Sequence, residues 1–209
     1  MCQSASTGPA LPTRVQAYVE AIVRTCADSG RALVSVVVFG SAAVGGWAET
    51  ISDVDLILVV PDGATEEDGD HLRDEVEQLE VLHRLRNEPA HRTRALERFI
   101  DKATANVRSF FICTRGGLLS GSIGRILGLP PSQALFVDRV VLANIVASGI
   151  TVWGEHLLPR IPVAPIQRLD VFKAFFGLFG QALLVWAIFP LLPGATKYMI
   201  AILGRCRHL

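Results

Sequence analysis

Several things are scarce in this 209-residue chain, and each scarcity closes off a class of protein. Cysteine appears only as Cys2, Cys26, Cys113 and Cys206, with no Cys-x-x-Cys pair and no histidine at ligand spacing. A zinc site or a disulfide framework is therefore not expected. Only 19% of residues are charged, and acids thin out along the chain. Residues 1–103 hold 17 acids and 10 bases, a net of −7, whereas residues 104–209 hold 3 acids and 10 bases, a net of +7. A basic half attracts phosphates or an anionic membrane surface, unless it amounts to scattered arginines set against one acidic helix face. The segment before Pro9 lacks the basic and apolar regions of a signal peptide, so a cytoplasmic, reducing compartment is expected. The spaced glycines Gly116, Gly117, Gly121, Gly124 and Gly128 lack the Gly-Lys-Ser/Thr ending of a phosphate-binding P-loop, and read as turns around a short helix. No internal repeat is visible.

What is abundant is apolar material. Half of the residues are hydrophobic and the mean hydropathy is +0.39, high for a soluble chain and ample for one medium domain or two small ones. Residues 1–11 are polar and expected to be disordered. Val15, Tyr18, Val19, Ile22 and Val23 recur at helical spacing within Thr13 to Ser29, and Gly30 is a plausible stop. Ala32 to Phe39 is a β-branched apolar run, expected to be a buried strand. Gly40-Ser41 opens a turn, and residues 42–52 read as a short helix or loop. Asp53 to Val60 is expected to be the next strand, closed by Pro61-Asp62-Gly63. An acidic helix follows over 65–86, with Thr65 as cap and Leu72, Val76, Leu79, Leu82 and Leu85 as its apolar stripe. A further helix is expected from about His91 to Ala105, a strand over Val107 to Thr114, a helix over 132–149 and a strand-like run or turn over 150–155. Residues 159–168 resemble a linker. From Asp170 the chain is helical and apolar, split by Pro190 and Pro193.

The chemistry concentrates in two places eleven residues apart. Phe39-Gly40-Ser41 closes one apolar run, and Asp53-Val54-Asp55 opens the next. Side chains alternate faces along a strand, so acids at i and i+2 point the same way. Two carboxylates so close repel one another, and a divalent cation between them removes the repulsion. Hard oxygen donors suit Mg²⁺, which typically takes one or two carboxylates plus substrate phosphates.

This arrangement resembles the nucleotidyltransferase superfamily of the DNA polymerase β type, whose signature is an apolar strand, Gly-Ser, a spacer and Asp-x-Asp on the following strand. The resemblance implies an α+β fold: a small mixed sheet flanked by helices, with an all-helical C-terminal region. We expect a catalytic domain over 12–115 and a mostly helical region over 116–209. It implies that Asp53 and Asp55 are catalytic and hold Mg²⁺, and that Gly40 and Ser41 bind the triphosphate. It further implies transfer of a nucleoside monophosphate, AMP from ATP, onto a hydroxyl of an unknown acceptor. The alternative is a catalytically silent nucleotide-binding or antitoxin-like interaction protein on the same fold. No helix-hairpin-helix signal and no basic run is present, so template nucleic acid is not expected.

One part of the family pattern is not found. A third carboxylate usually stands on a later central strand, yet Val107 to Thr114 contains no acid, and Ser109, Ile112 or Cys113 would fill its place. Glu155 is the nearest later carboxylate, either catalytic or part of a structural turn. His83, His91 and His156 read as surface or packing residues. Arg108, Arg115, Arg125 and Arg139 are candidate phosphate contacts.

Ala174 to Thr196 runs 23 residues without a charge, long enough to cross a bilayer. A helix buried in a small helical domain is the favoured expectation over membrane contact. An apolar face left over would be completed by a second copy through these C-terminal helices, by another chain or by a membrane.

Overall fold

A computed structural model describes residues 11–47, 54–85, 109–128 and 139–188. Residues 1–10 of the polar N-terminal stretch, Asp53, the helix expected from His91 to Ala105 and the chain beyond Ile188 lie outside the described residues.

Helix α1 (Thr13–Asp28) starts after Pro12 and buries Val15, Tyr18, Val19, Ile22 and Cys26, one stripe of its surface. It stops at Gly30, whose φ of 69° is left-handed, and the Arg31 amide reaches back to the Cys26 carbonyl at 2.9 Å. Strand β1 (Ser35–Phe39) follows, then a 3-10 turn over Gly40–Ala42. Strand β2 (Asp55–Val60) leads into helix α2 (Glu66–Leu82). Thr65 and Asp68 form a reciprocal capping box at the start of α2, and Glu66, Glu67 and Asp68 place negative charge at the positive end of its dipole. Strand β3 (Phe110–Thr114) runs into the short helices α3 (Arg115–Leu119) and α4 (Ile123–Ile126). Helix α5 (Arg139–Ser148), strand β4 (Ile150–Gly154), a 3-10 turn over Leu158–Arg160 and helix α6 (Arg168–Ile188) complete the order.

The four strands lie side by side in the order β3-β2-β1-β4. Strand β1 is antiparallel to both β2 and β4, and β2 is parallel to β3, so the sheet is mixed. The α+β class expected from the sequence is what forms. The sheet takes its fourth strand from residues 150–154, downstream of position 115, and the C-terminal half thus contributes a strand as well as helices.

Both faces of the sheet are covered, which is why its strands read as unbroken apolar runs. Val36, Val38, Leu56, Leu58 and Phe110 pack against α1 and α2. Val37, Ile57, Val59 and Cys113 pack on the opposite face against Leu118, Ile126, Leu142, Ile145 and the 157–161 segment. Removing water from each such aliphatic side chain contributes about 1.5–3 kcal/mol. The C-terminal half is therefore part of the sheet's core and not merely an appendage.

Candidate active site

The bend after β1 and the start of β2 meet because of strand register. Phe39 pairs with Asp55 across the antiparallel ladder, so the residue after Phe39 begins its turn beside the Asp55 side chain. Gly40 has a φ of 70°, a left-handed conformation that favours glycine. A Cβ on Gly40 would come within 2.2 Å of the Asp55 Oδ2 atom. The carboxylate therefore occupies the space that any other residue's side chain would need. From Gly40 the backbone winds into the 3-10 turn, closed by the Ala43 amide on the Gly40 carbonyl at 3.2 Å. Ser41 follows inside that turn, half-buried, and its carbonyl accepts from the Gly46 amide at 3.0 Å. The first amides of a helical turn have no partner within it, so such a turn offers donors to an anion.

Asp55 is half-buried, and strand alternation places it on the face of Ile57 and Val59. Val54, one residue earlier, is buried on the α1–α2 side. Asp53, the other expected ligand, lies outside the described residues. Among the described residues, no three His, Cys, Asp or Glu side chains gather as a metal-binding group. Mg²⁺ asks for less: one or two carboxylates, with water and substrate phosphate supplying the remaining oxygens. The hard oxygens of Asp55, over a glycine cradle that a Cβ would fill, fit that demand.

Strand β3 carries no acid that could serve as a third carboxylate. The Leu56 amide donates to the Ser109 carbonyl at 2.8 Å, which brings the entry of β3 beside Asp55. Ser109 turns its hydroxyl away from the site and donates it to Glu80 of α2. Ile112 packs on the α1–α2 side, and Cys113 lies beside Val59, four positions along β2 from Asp55. Phe111, paired with Ile57, is the β3 residue nearest Asp55 on its own face. Its ring comes within 6.3 Å of the Phe39 ring, across the strand between them. An aromatic pair thus stands next to Asp55 where β3 could have offered an acid.

Glu155 is at the other end of the sheet. Its amide donates to the Val34 carbonyl at 2.9 Å, and its carbonyl accepts from the Ser35 hydroxyl at 2.8 Å. Ser35 and Phe39 are the two ends of β1, about 13 Å apart at strand rise. The Glu155 carboxylate pairs with Arg115 at 3.0 Å. Glu155 reads as structural there, and Arg115, held by it, lies at that same end of the sheet. Among the other candidates, the His83 ring packs 5.7 Å from that of Tyr18 and His156 Nδ1 lies 3.0 Å from the Thr151 hydroxyl. Arg125 and Arg139 are exposed. His91 and Arg108 lie outside the described residues.

Glu80 is the residue the sequence reading passed over. It is buried and accepts from Ser109, tying α2 to the strand entry next to Asp55. Its signal was available: Leu72, Val76 and Glu80 follow at intervals of four, so the carboxylate sits on the apolar row of its helix. Burial of thiols gives a second electrostatic effect. Cys113 is pushed up to about 12 and stays a neutral core side chain. Burial, with the Glu75 charge nearby, also raises the Cys26 thiol.

Residues 19–113 match the family model described as nucleotidyltransferase domain. The match begins inside α1 and ends in β3, so it contains the Gly40 bend, Asp55 and the strands that bring them together. No curated protein matches the chain. The resemblance seen in Gly40-Ser41 and Asp53-Val54-Asp55 and the family match agree: residues 19–113 of this chain match the nucleotidyltransferase domain family.

Proposed function

We propose that this chain is a Mg²⁺-dependent nucleotidyltransferase that moves a nucleoside monophosphate, AMP from ATP, onto a hydroxyl of an acceptor. The observation that carries this reading is that the Asp55 carboxylate lies directly against the Gly40 bend, where a Cβ would otherwise stand. Asp53 and Asp55 would hold Mg²⁺, and Gly40 and Ser41 would receive the triphosphate. Glycine at 40 lets the backbone approach phosphate oxygens, and the amides of the 3-10 turn with the Ser41 hydroxyl are suited to donate to them. The metal, when bound, neutralises charge on the triphosphate and favours in-line displacement. The acceptor oxygen attacks the α-phosphorus, the α–β anhydride bond breaks, pyrophosphate leaves and the acceptor proton passes to solvent or a base. Phe39 and Phe111 place their rings on the Asp55 side of the sheet, 6.3 Å apart.

Incubation with labelled ATP, Mg²⁺ and a panel of hydroxyl acceptors, with mass detection of an adduct of AMP, tests the proposal. Pyrophosphate release by the wild type, abolished in Asp53→Ala and Asp55→Ala, is the expected result. A second reading, nucleotide binding without transfer, is favoured by Phe111 standing on β3 where an acid could have stood. ATP binding that Asp55→Ala weakens, with no adduct from any acceptor, would select it.

A further inference from the structure

Helix α6 presents an apolar surface that the rest of the described chain leaves uncovered. Leu169, Val171, Phe172, Phe175, Phe176, Phe179 and Leu183 are each between 49% and 62% exposed. Five of them, Leu169, Phe172, Phe176, Phe179 and Leu183, follow at intervals of three and four residues. That alternation is the 3.5-residue repeat by which one helix packs along another. The rings are already ordered against one another. Phe172 and Phe176 stack at 6.1 Å, Phe175 and Phe179 at 6.3 Å, and Phe175 meets Phe176 edge-on at 6.1 Å. The helix is capped at its start, where the buried Asp170 carboxylate accepts from the Gln167 amide at 2.9 Å. It also rests on α5. Among the described residues, no helix is long and apolar enough to cross a membrane.

We infer that the exposed stripe of α6 is a self-association surface, and that its occupant is α6 of a second copy of this chain in an antiparallel pair. The area is adequate. A phenylalanine carries about 200 Å² of surface, so the exposed parts of four phenylalanines and three aliphatic side chains come to roughly 700 Å² per protomer. A standard stable interface removes about 800 Å² per partner. The charges select the orientation. Arg168 and Lys173 both lie in the first turns of α6, and the stripe C-terminal to Lys173 contains no described charge. A parallel pair would set like charges side by side, whereas an antiparallel pair separates them. It also lays each Lys173 along the aromatic stretch of the other copy, a favourable cation–π arrangement. A two-fold pair makes the same patch serve both sides and closes, leaving no open edge for further growth.

The test is the mass of the full chain in solution, by light scattering coupled to size exclusion at concentrations on the order of 10 µM, where interfaces of this size associate. The expected result is a species of twice the 22.6 kDa chain mass. The exposed pair Phe176→Glu and Phe179→Glu should return the chain mass with an unchanged far-ultraviolet circular dichroism spectrum. Phe176→Ser, a milder change at an exposed position, should raise the dimer dissociation constant at least tenfold. A wild type of single-chain mass overturns the inference, as does a dimer that survives the double variant. A monomer that sediments with phosphatidylglycerol vesicles through the same phenylalanines also overturns it and identifies a lipid surface as the occupant.

Discussion

The two ends of the sheet hold similar residue types in opposite circumstances. At one end, Asp55 leans over Gly40 against a bend that no other residue could form without a clash. At the other, about 13 Å away along β1, Glu155 is joined to Arg115 and tied through its backbone to Val34 and Ser35. Asp62 at that end accepts from the Gly116 amide. The carboxylates of the second end serve the architecture, Glu155 through an ion pair and Asp62 through a backbone amide. The first end puts a carboxylate beside a tight backbone turn, an arrangement that costs conformational freedom and suits a phosphate-bearing ligand. A carboxylate's role here is decided by what the fold sets next to it and not by its residue type.

Charge-neutralising substitutions at the two ends break this comparison most directly. Asp55→Asn is expected to lower nucleotidyl transfer by about 10²–10³-fold, the loss typical of removing one electrostatic contact at a reacting centre. Glu155→Gln should change it by less than about threefold, since it loses only an exposed ion pair. Pyrophosphate release measured on both variants decides; a comparable loss in Glu155→Gln would move the site to the other end of the sheet.

Gly40→Ala should be the next largest effect. Its left-handed φ costs an L residue about 1–2 kcal/mol, and the new Cβ would meet Asp55 Oδ2 at 2.2 Å. Lower stability in urea together with lost ATP binding is expected. Gly30→Ala, also left-handed but with open space around its Cβ, should lose only the strain part, about 1–2 kcal/mol, and keep binding. The pair separates backbone strain from the contact with Asp55.

Thr65→Ala is expected to cost about 1 kcal/mol through the lost cap of α2. Hydrogen bonds from the Thr65 side chain and then its backbone hold the Asp68 carboxyl below its ordinary range. That stabilisation is present above the ordinary carboxylate range and is lost as pH falls through the lowered value. The stability gap between wild type and variant should thus be widest near neutral pH and narrow below about pH 4, as thermal melts across pH would show. The smallest effect is expected for Arg115→Ala, less than about 1 kcal/mol, because the Arg115–Glu155 pair is largely exposed.

Much of this was legible in the chain itself. The β-branched runs marked β1 and β2, the periodic apolar residues marked α1 and α2, and Thr65 marked the cap. Gly40-Ser41 and Asp55 were legible as site candidates because few other reasons place a glycine-serine bend and an acid pair at the starts and ends of apolar strands. The fate of Glu155 was not legible. Its position in sequence, after a β-like run, says nothing of which end of the sheet that run would join. Glu80 was hidden for a related reason: a carboxylate on an apolar helix row becomes a buried acceptor only when a donor such as Ser109 is brought to it by another strand.

Local periodicity and turn chemistry, which act over a few residues, therefore determined the elements and the candidate residues of this protein. Register and strand order, which depend on how distant segments share one core, were decided by the tertiary structure alone. Pairing Phe39 with Asp55 set the carboxylate over the bend, and adding β4 beside β1 carried Glu155 to the far end. The physical reason is that burial rewards any pairing that removes apolar surface from water, whereas the placement of a polar side chain follows from whichever pairing the whole core selects.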